Sequence, residues 1–158
     1  MEQIIAINKN DEIFPASFRA IGKDCPESIY ALGNLELLKS EHMVAIIGSR
    51  KATRTGNSKA YELGLNYAKK GYVVVSGLAL GCDAAAHRGC MAGGGGTIAI
   101  VATGLDRVHP HENISLQEEI LKEGGLILSE QPLGVKANPA RLVARNRLQA
   151  ALSEEVVV

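Results

Sequence analysis

Four short segments of this chain concentrate residue types that can hold an anion. The first reads Gly48-Ser49-Arg50-Lys51-Ala52-Thr53-Arg54-Thr55-Gly56. Glycine lets the backbone turn sharply, Ser49 and exposed N–H groups can bind phosphate oxygens, and Arg50 supplies a planar charged fork beside Lys51. The second is Ser76-Gly77-Leu78-Ala79-Leu80-Gly81-Cys82-Asp83, with Ala86-His87 following. Its glycines and small residues let a ligand approach the backbone and a helix N-terminus closely. Asp83 suits an N-cap, and recognition of a ribose or base is the sharper alternative; His87, one turn on, can hydrogen-bond it. The third is Gly104-Leu105-Asp106-Arg107, running on to His109, Pro110 and Asn113. The fourth is Ser129-Glu130-Gln131-Pro132-Leu133-Gly134, which leads into Arg145-Asn146-Arg147.

Familiar catalytic patterns are missing. The chain contains neither GxGxxG nor the phosphate loop GxxxxGK[ST], and no GxSxG nucleophile elbow gives Ser76 a base partner. Cys82, His87, Cys90, His109 and His111 hold potential metal ligands, but their spacing fits no zinc-site pattern. Gly93-Gly94-Gly95-Gly96-Thr97 imitates the middle of the Pro-Gly-Gly-x-Gly-Thr-x-x-Glu signature of LOG-type enzymes, which hydrolyse nucleoside monophosphates. Ala92 stands in place of the proline and Ile100 in place of the glutamate, and an apolar side chain cannot act as a general acid. No catalytic residue, metal or cofactor is expected.

The elements that must carry these segments can be read from hydrophobic runs. Val44–Ile47, Tyr72–Ser76, Thr97–Thr103, Gly125–Ser129 and Val156–Val158 are nearly continuous and rich in Val and Ile, as strands of a parallel sheet covered on both faces are. Between them fall helices at about Asn57–Lys70, ended by Gly71, and at about Asp83–Ala92. A third carries Ser115 and Glu118 at capping-box spacing, and a fourth covers Leu142–Leu152. This alternation predicts an α/β, Rossmann-like, doubly wound and mostly parallel sheet with helices on both faces. Ligands bind such sheets at the carboxyl ends of the strands, where all four segments fall. Residues 1–43 are expected to form a small helical lead-in and residues 44–158 the Rossmann-like domain. The last strand stops the chain with no helix to cover it, the mark of a fragment or a shortened relative of a longer family.

Composition narrows the reading. The 158 residues carry 17 Lys+Arg and 17 Asp+Glu, a balance that argues against a generic, uniformly basic nucleic-acid coat. That balance is segregated: residues 1–43 sum to −3, residues 44–110 to +5 and residues 111–158 to −2. Two windows, 42–61 and 131–153, contain no acid and hold eight of the basic residues. They are either two separate solvated faces or the walls of one anion site. Three cysteines without a CxxC pair suit reduced thiols in a cytoplasm, and no apolar run approaches the ~20 residues that span a bilayer.

Taken together and in order, the Gly48-Ser49-Arg50 turn, the Ser76–Asp83 segment with Ala86-His87, Gly104-Leu105-Asp106 with Pro110 and Asn113, Ser129-Glu130 with Pro132 and Gly134, and Arg145-Asn146-Arg147 with Leu152-Ser153 resemble the DNA-processing protein A (DprA/Smf) family over residues 13–158. The resemblance implies a non-catalytic domain that binds single-stranded DNA, forms homodimers and loads a RecA-type recombinase during natural transformation. Carried over residue by residue, it assigns DNA or phosphate contact to Ser49, Arg50, Lys51, Arg145 and Arg147. Gly48, Ser76, Gly77, Gly81, Gly104 and Asn146 complete the phosphate-binding set, and Asp83, His87 and Asp106 shape the crevice. It also favours contact between the two acid-free windows. Leu142 stands where the family usually has Phe, which removes a base-stacking platform. A sensor of free or signalling nucleotides is the alternative within the same superfamily.

Overall fold

The computed structural model describes residues 3–48 and 53–157. The strands are β1 (Ile5–Asn8), β2 (Ser28–Gly33), β3 (Met43–Ile46), β4 (Val73–Ser76), β5 (Thr97–Val101), β6 (Leu126–Ser129) and β7 (Glu155–Val157). The helices are α1 (Ala16–Arg19), α2 (Arg54–Lys69), α3 (Cys82–Ala92), α4 (Ile114–Lys122), α5 (Pro139–Ala144) and α6 (Asn146–Leu152). All seven strands join one sheet in the order β1-β2-β6-β5-β4-β3-β7. The run from β6 to β7 is parallel, while β1 and β2 add an antiparallel edge.

The four central strands are buried at every residue, as their unbroken apolar runs require. Alternate residues face opposite layers. Val44, Ile46 and Val74 pack with Ala68, Ala86 and Cys90 of α2 and α3. Ala45, Val75, Ile98 and Leu128 pack with Phe18 of α1 and Leu148 of α6 on the other face. The connection from β6 back to β7 crosses the sheet and returns beside β3, so strand order reverses at β3. That reversal opens a crevice at the carboxyl edge, the place where a doubly wound sheet receives ligands.

Three expectations need correction. The lead-in is not simply helical: besides α1 and short 3-10 turns it supplies β1 and β2. In β2, Ile29 and Ala31 pack against Phe14 and Phe18 while β2 pairs with β6. Such pairing joins segments far apart in the chain, and short strands carry too little local pattern to announce it. The helix expected over 142–152 is broken into α5 and α6 at Arg145. The capping box at Ser115 is not used, because a 3-10 turn at His111–Asn113 precedes α4, which starts at Ile114 without a side-chain cap.

β7 is held by more than its pairing with β3. The Tyr67 hydroxyl donates to Glu155 at 2.6 Å, and the carboxylate beside it pushes the phenol up to about 12. His42 pairs with Glu154 at 3.0 Å. Among the described residues no helix is long and apolar enough to cross a membrane.

Candidate strand-end crevice

The carboxyl end of β3 and the loop after β4 meet the α5–α6 break around a cavity of about 130 Å³. Gly48 stands on one side and Leu142, Arg145 and Asn146 on the other. The two acid-free windows therefore converge here. A second cavity of about 280 Å³ shares Ala79, Leu142 and Arg145 and extends to His109 and Pro110. A third, lined by Thr103, Arg107, His109 and Lys136, continues along the same edge.

Beneath this edge lie two buried side chains of opposite charge, Asp83 and Arg145, whose proximity the spacing of the sequence did not suggest. Asp83 is 3% and Arg145 6% exposed. Asp83 is not the N-cap of α3; Gly81, at φ +78°, holds that position. The Asp83 carboxylate instead accepts from the backbone N–H groups of Gly77 (3.1 Å) and Gly48 (3.4 Å). Burial pushes its pKa up, while Arg145 and those N–H groups pull it back. Arg145 donates to the carbonyls of Gly77 (2.7 Å) and Ile100 (2.9 Å) and to Asn146 Oδ1 (3.1 Å). A Cβ on Gly77 would lie 2.6 Å from the Arg145 guanidinium carbon and 2.7 Å from Asp83 Oδ2, so only glycine lets the pair close over that peptide.

This changes the part several expected phosphate ligands play. Arg145 lines the crevice but is almost wholly buried, and its guanidinium donates to two carbonyls and faces the Asp83 charge. The N–H of Gly77 and that of Gly48 turn inward to Asp83. The Ser76 hydroxyl is buried and donates to the Ile46 carbonyl, tying β4 to β3. Arg147 faces away: its guanidinium forms a bidentate pair with Glu130 (2.6 and 2.8 Å) and also reaches the Asp24 carbonyl. Ser49, Arg50 and Lys51 lie outside the described residues. The cations standing on the rim are Arg107 and Lys136, both exposed and neither singled out from sequence, because loops distant in the chain bring them together.

The Asp106 carboxylate accepts from Gly134 N–H at 2.8 Å. Gly104 N–H donates to the Val135 carbonyl, and a Cβ on Gly104 would meet the Pro132 carbonyl at 2.5 Å. The loops after β5 and β6 are thereby closed on each other.

Leu78 is the strained point of the floor. It is buried at φ +63°, a region that an L-residue with a Cβ occupies at a cost of about 1–3 kcal/mol. Its N–H donates to His87 Nε2 (3.3 Å) and its carbonyl accepts from Asn113 Nδ2 (2.8 Å), so the peptides on either side are held. His87 Nδ1 donates in turn to Thr97 Oγ1 (2.7 Å), whose hydroxyl donates to the Val74 carbonyl. His87 thus bonds to Leu78 and Thr97 and not to Asp83. Burial holds its pKa down at about 3, with Arg145 and Arg88 opposing the charged form.

A pH prediction follows from that imidazole. An unfolded histidine titrates near 6.5, so between pH 6.5 and 3 the unfolded state binds one more proton at this site than the folded state. Stability is fully present above pH 6.5 and falls as pH drops, by about 2 kcal/mol at pH 5. Asp83, with a raised pKa, acts in the opposite direction through its own titration. Urea unfolding of wild type and His87→Gln at pH 7.5 and 5 isolates the histidine: the variant is less stable at pH 7.5 but loses less on acidification. Parallel pH slopes would show that His87 is not held neutral.

The LOG-like glycine run lies elsewhere. Gly93–Gly96 precedes β5, at the amino edge of the sheet, where a Cβ on Gly95 or Gly96 would meet Ala68 or Leu37. Cys90 donates to the Gly96 carbonyl there, and burial pushes its thiol up to about 11. Cys25, Cys82 and Cys90 form no disulfide.

Known proteins share this architecture. A family model described as DNA recombination-mediator protein A matches residues 5–158. Protein Smf of Synechocystis is 42% identical over 84% of this chain and 34% of its own. DNA processing protein DprA of Streptococcus pneumoniae is 38% identical over 94% of this chain and 51% of its own. The chain thus spans about a third to a half of these curated relatives. The X-ray structure of the pneumococcal protein superposes with a TM-score of 0.88 at 35% identity, covering 98% of this chain and 53% of that one. DNA processing protein A from Helicobacter pylori, whose structure describes a single-stranded DNA binding mode, superposes at 0.83 with 34% identity, over 98% and 67%. With the family pattern running through all but the first few residues and the same fold beneath it, this chain belongs to the DNA recombination-mediator protein A (DprA/Smf) family.

Proposed function

We propose that the strand-end crevice binds the sugar–phosphate backbone of single-stranded DNA and that the domain serves DNA processing as a recombination mediator without chemistry of its own. One observation carries the reading: the two acid-free windows close on one carboxyl-edge crevice at the point of strand-order reversal, with Lys136 and Arg107 along its rim. The Helicobacter relative, described as binding single-stranded DNA, supports the choice of ligand. Arg50 and Lys51 follow Gly48-Ser49 in the chain and complete the phosphate contacts in this reading. Homodimerisation, hand-over to a RecA-type recombinase in natural transformation and a cytoplasmic setting extend the same proposal.

Phosphate contacts carry no base information, which makes the reading testable. Arg50→Ala and Lys136→Ala are each expected to weaken single-strand binding alike for all sequences and to reduce the salt slope by about one. Arg147→Ala acts on stability instead, since its charge is spent on Glu130. Fluorescence anisotropy with single strands, duplex and free nucleotides across a salt series decides it. Salt-insensitive binding, equal in wild type and both crevice variants, rejects the proposal. Tight binding of a mononucleotide with no strand affinity favours a nucleotide sensor, and base release would mark a phosphoribohydrolase.

A further inference from the structure

One further cavity lies apart from the strand-end crevice. It is a groove of about 910 Å³ between α2 and α3, lined by Arg54, Asn57, Tyr61, Leu80 and Arg88 among others. Three features set its chemistry. Arg54 and Arg88 are exposed, and among the described residues neither guanidinium has a hydrogen-bond or ion-pair partner; Glu62 is the one acid against them. Tyr61 is 39% exposed, and among the described residues every other Tyr and Phe is more buried. Asn57 Oδ1 is a buried acceptor with no hydrogen-bond donor.

Beside its apolar walls of Leu65, Leu80 and Ala84 the groove sets charged and polar side chains, which a purely apolar docking surface would not need. Two cations, an aromatic face and an orphan acceptor instead match the parts of a nucleotide: phosphate, base and an exocyclic amino or hydroxyl donor. Position points the same way. Leu80 lines both this groove and the 280 Å³ cavity of the crevice, so the two adjoin at that residue. The crevice cavities contain no Phe, Tyr or Trp. Tyr61 supplies what they lack.

We propose that the α2–α3 groove is a second nucleotide subsite, in which a strand leaving the crevice stacks a base on Tyr61 and sets a phosphate between Arg54 and Arg88. This rests on the single-strand reading above. The test measures anisotropy with an oligothymidylate of about 20 nucleotides, longer than the ~4–16 nucleotides that single-strand binding folds usually cover. Tyr61→Ala is expected to weaken binding roughly tenfold and Tyr61→Phe to bind as wild type, because the ring does the stacking. Arg88→Gln lowers the salt slope by about one, with an unchanged melting temperature. A 5-iodouracil strand is expected to photocrosslink to Tyr61.

Arg50→Ala serves as the reference for the crevice. If it weakens binding while Tyr61→Ala matches wild type, the groove is off the strand's path and the subsite is rejected, with the single-strand reading intact. If Tyr61→Ala changes sedimentation mass and leaves strand affinity alone, the groove is a contact between copies, and the subsite is again rejected. If wild type binds no single strand, both readings fall.

Discussion

Arg145→Ala is expected to destabilise the fold by about 3–5 kcal/mol, before any effect on ligand binding is seen. The substitution removes a buried positive charge that attracts Asp83 and strips two backbone carbonyls, Gly77 and Ile100, of a donor. A buried carboxylate without its partner is far costlier than the loss of an exposed salt bridge, which typically contributes under about 1 kcal/mol. Domains of this size have about 5–15 kcal/mol of stability in total, so the loss takes a large share. In melting temperature it corresponds to roughly 6–20 °C. The control is the double variant Asp83→Asn/Arg145→Met, which removes both charges. It should lose clearly less than the sum of its two single variants, a coupling that a double-mutant cycle reads directly. Additive losses, or an Arg145→Ala protein as stable as wild type with weakened DNA binding, would restore Arg145 to the role of an exposed phosphate clamp.

Gly89→Ala gives the second large effect, and here two terms compete. Alanine in mid-helix gains about 1 kcal/mol over glycine from propensity. Against that, a Cβ at Gly89 would lie 2.0 Å from the Tyr61 carbonyl oxygen, and one at Gly64 2.4 Å from that of Ala86. The obstruction is backbone, not a flexible side chain, so α2 and α3 must separate. Overpacking of this kind costs about 3 kcal/mol. The net expectation is a loss of about 2 kcal/mol, or roughly 4–8 °C in melting temperature. Urea denaturation checks it; a stabilised Gly89→Ala protein would mean the helices do not cross this closely. Because Tyr61 lies beside that contact, the same substitution also distorts the α2–α3 groove.

Both effects fall where sequence reading was weakest. Asp83 and His87 stand at the spacing of a helix-start pair and invite a bond to each other. The structure sends them to different partners, Asp83 to Arg145 and His87 to Leu78 and Thr97. Arg145 and Arg147 look equivalent in Arg145-Asn146-Arg147, yet Arg145 at the α5–α6 break and Arg147 in α6 find different partners. One closes on Asp83 and the other on Glu130. Arg107 lies in one strand-end segment and Lys136 in an acid-free window, but only the closure of two loops through Asp106–Gly134 and Gly104–Val135 puts them on one rim.

What the sequence determined by itself is the frame. Unbroken Val- and Ile-rich runs allow only strands covered on both faces, and their alternation with helices allows only a parallel, doubly wound sheet. That frame locates the four glycine- and arginine-bearing turns at one edge, because in such a sheet every strand ends on the same side. Local pattern suffices for this, since it depends on periods of two and 3.6 residues. Which charges face solvent and which are buried was decided only by tertiary structure. A side chain's direction and partner depend on residues brought close from elsewhere in the chain, and burial determines whether a charge is a ligand-binding group or part of the floor that holds one.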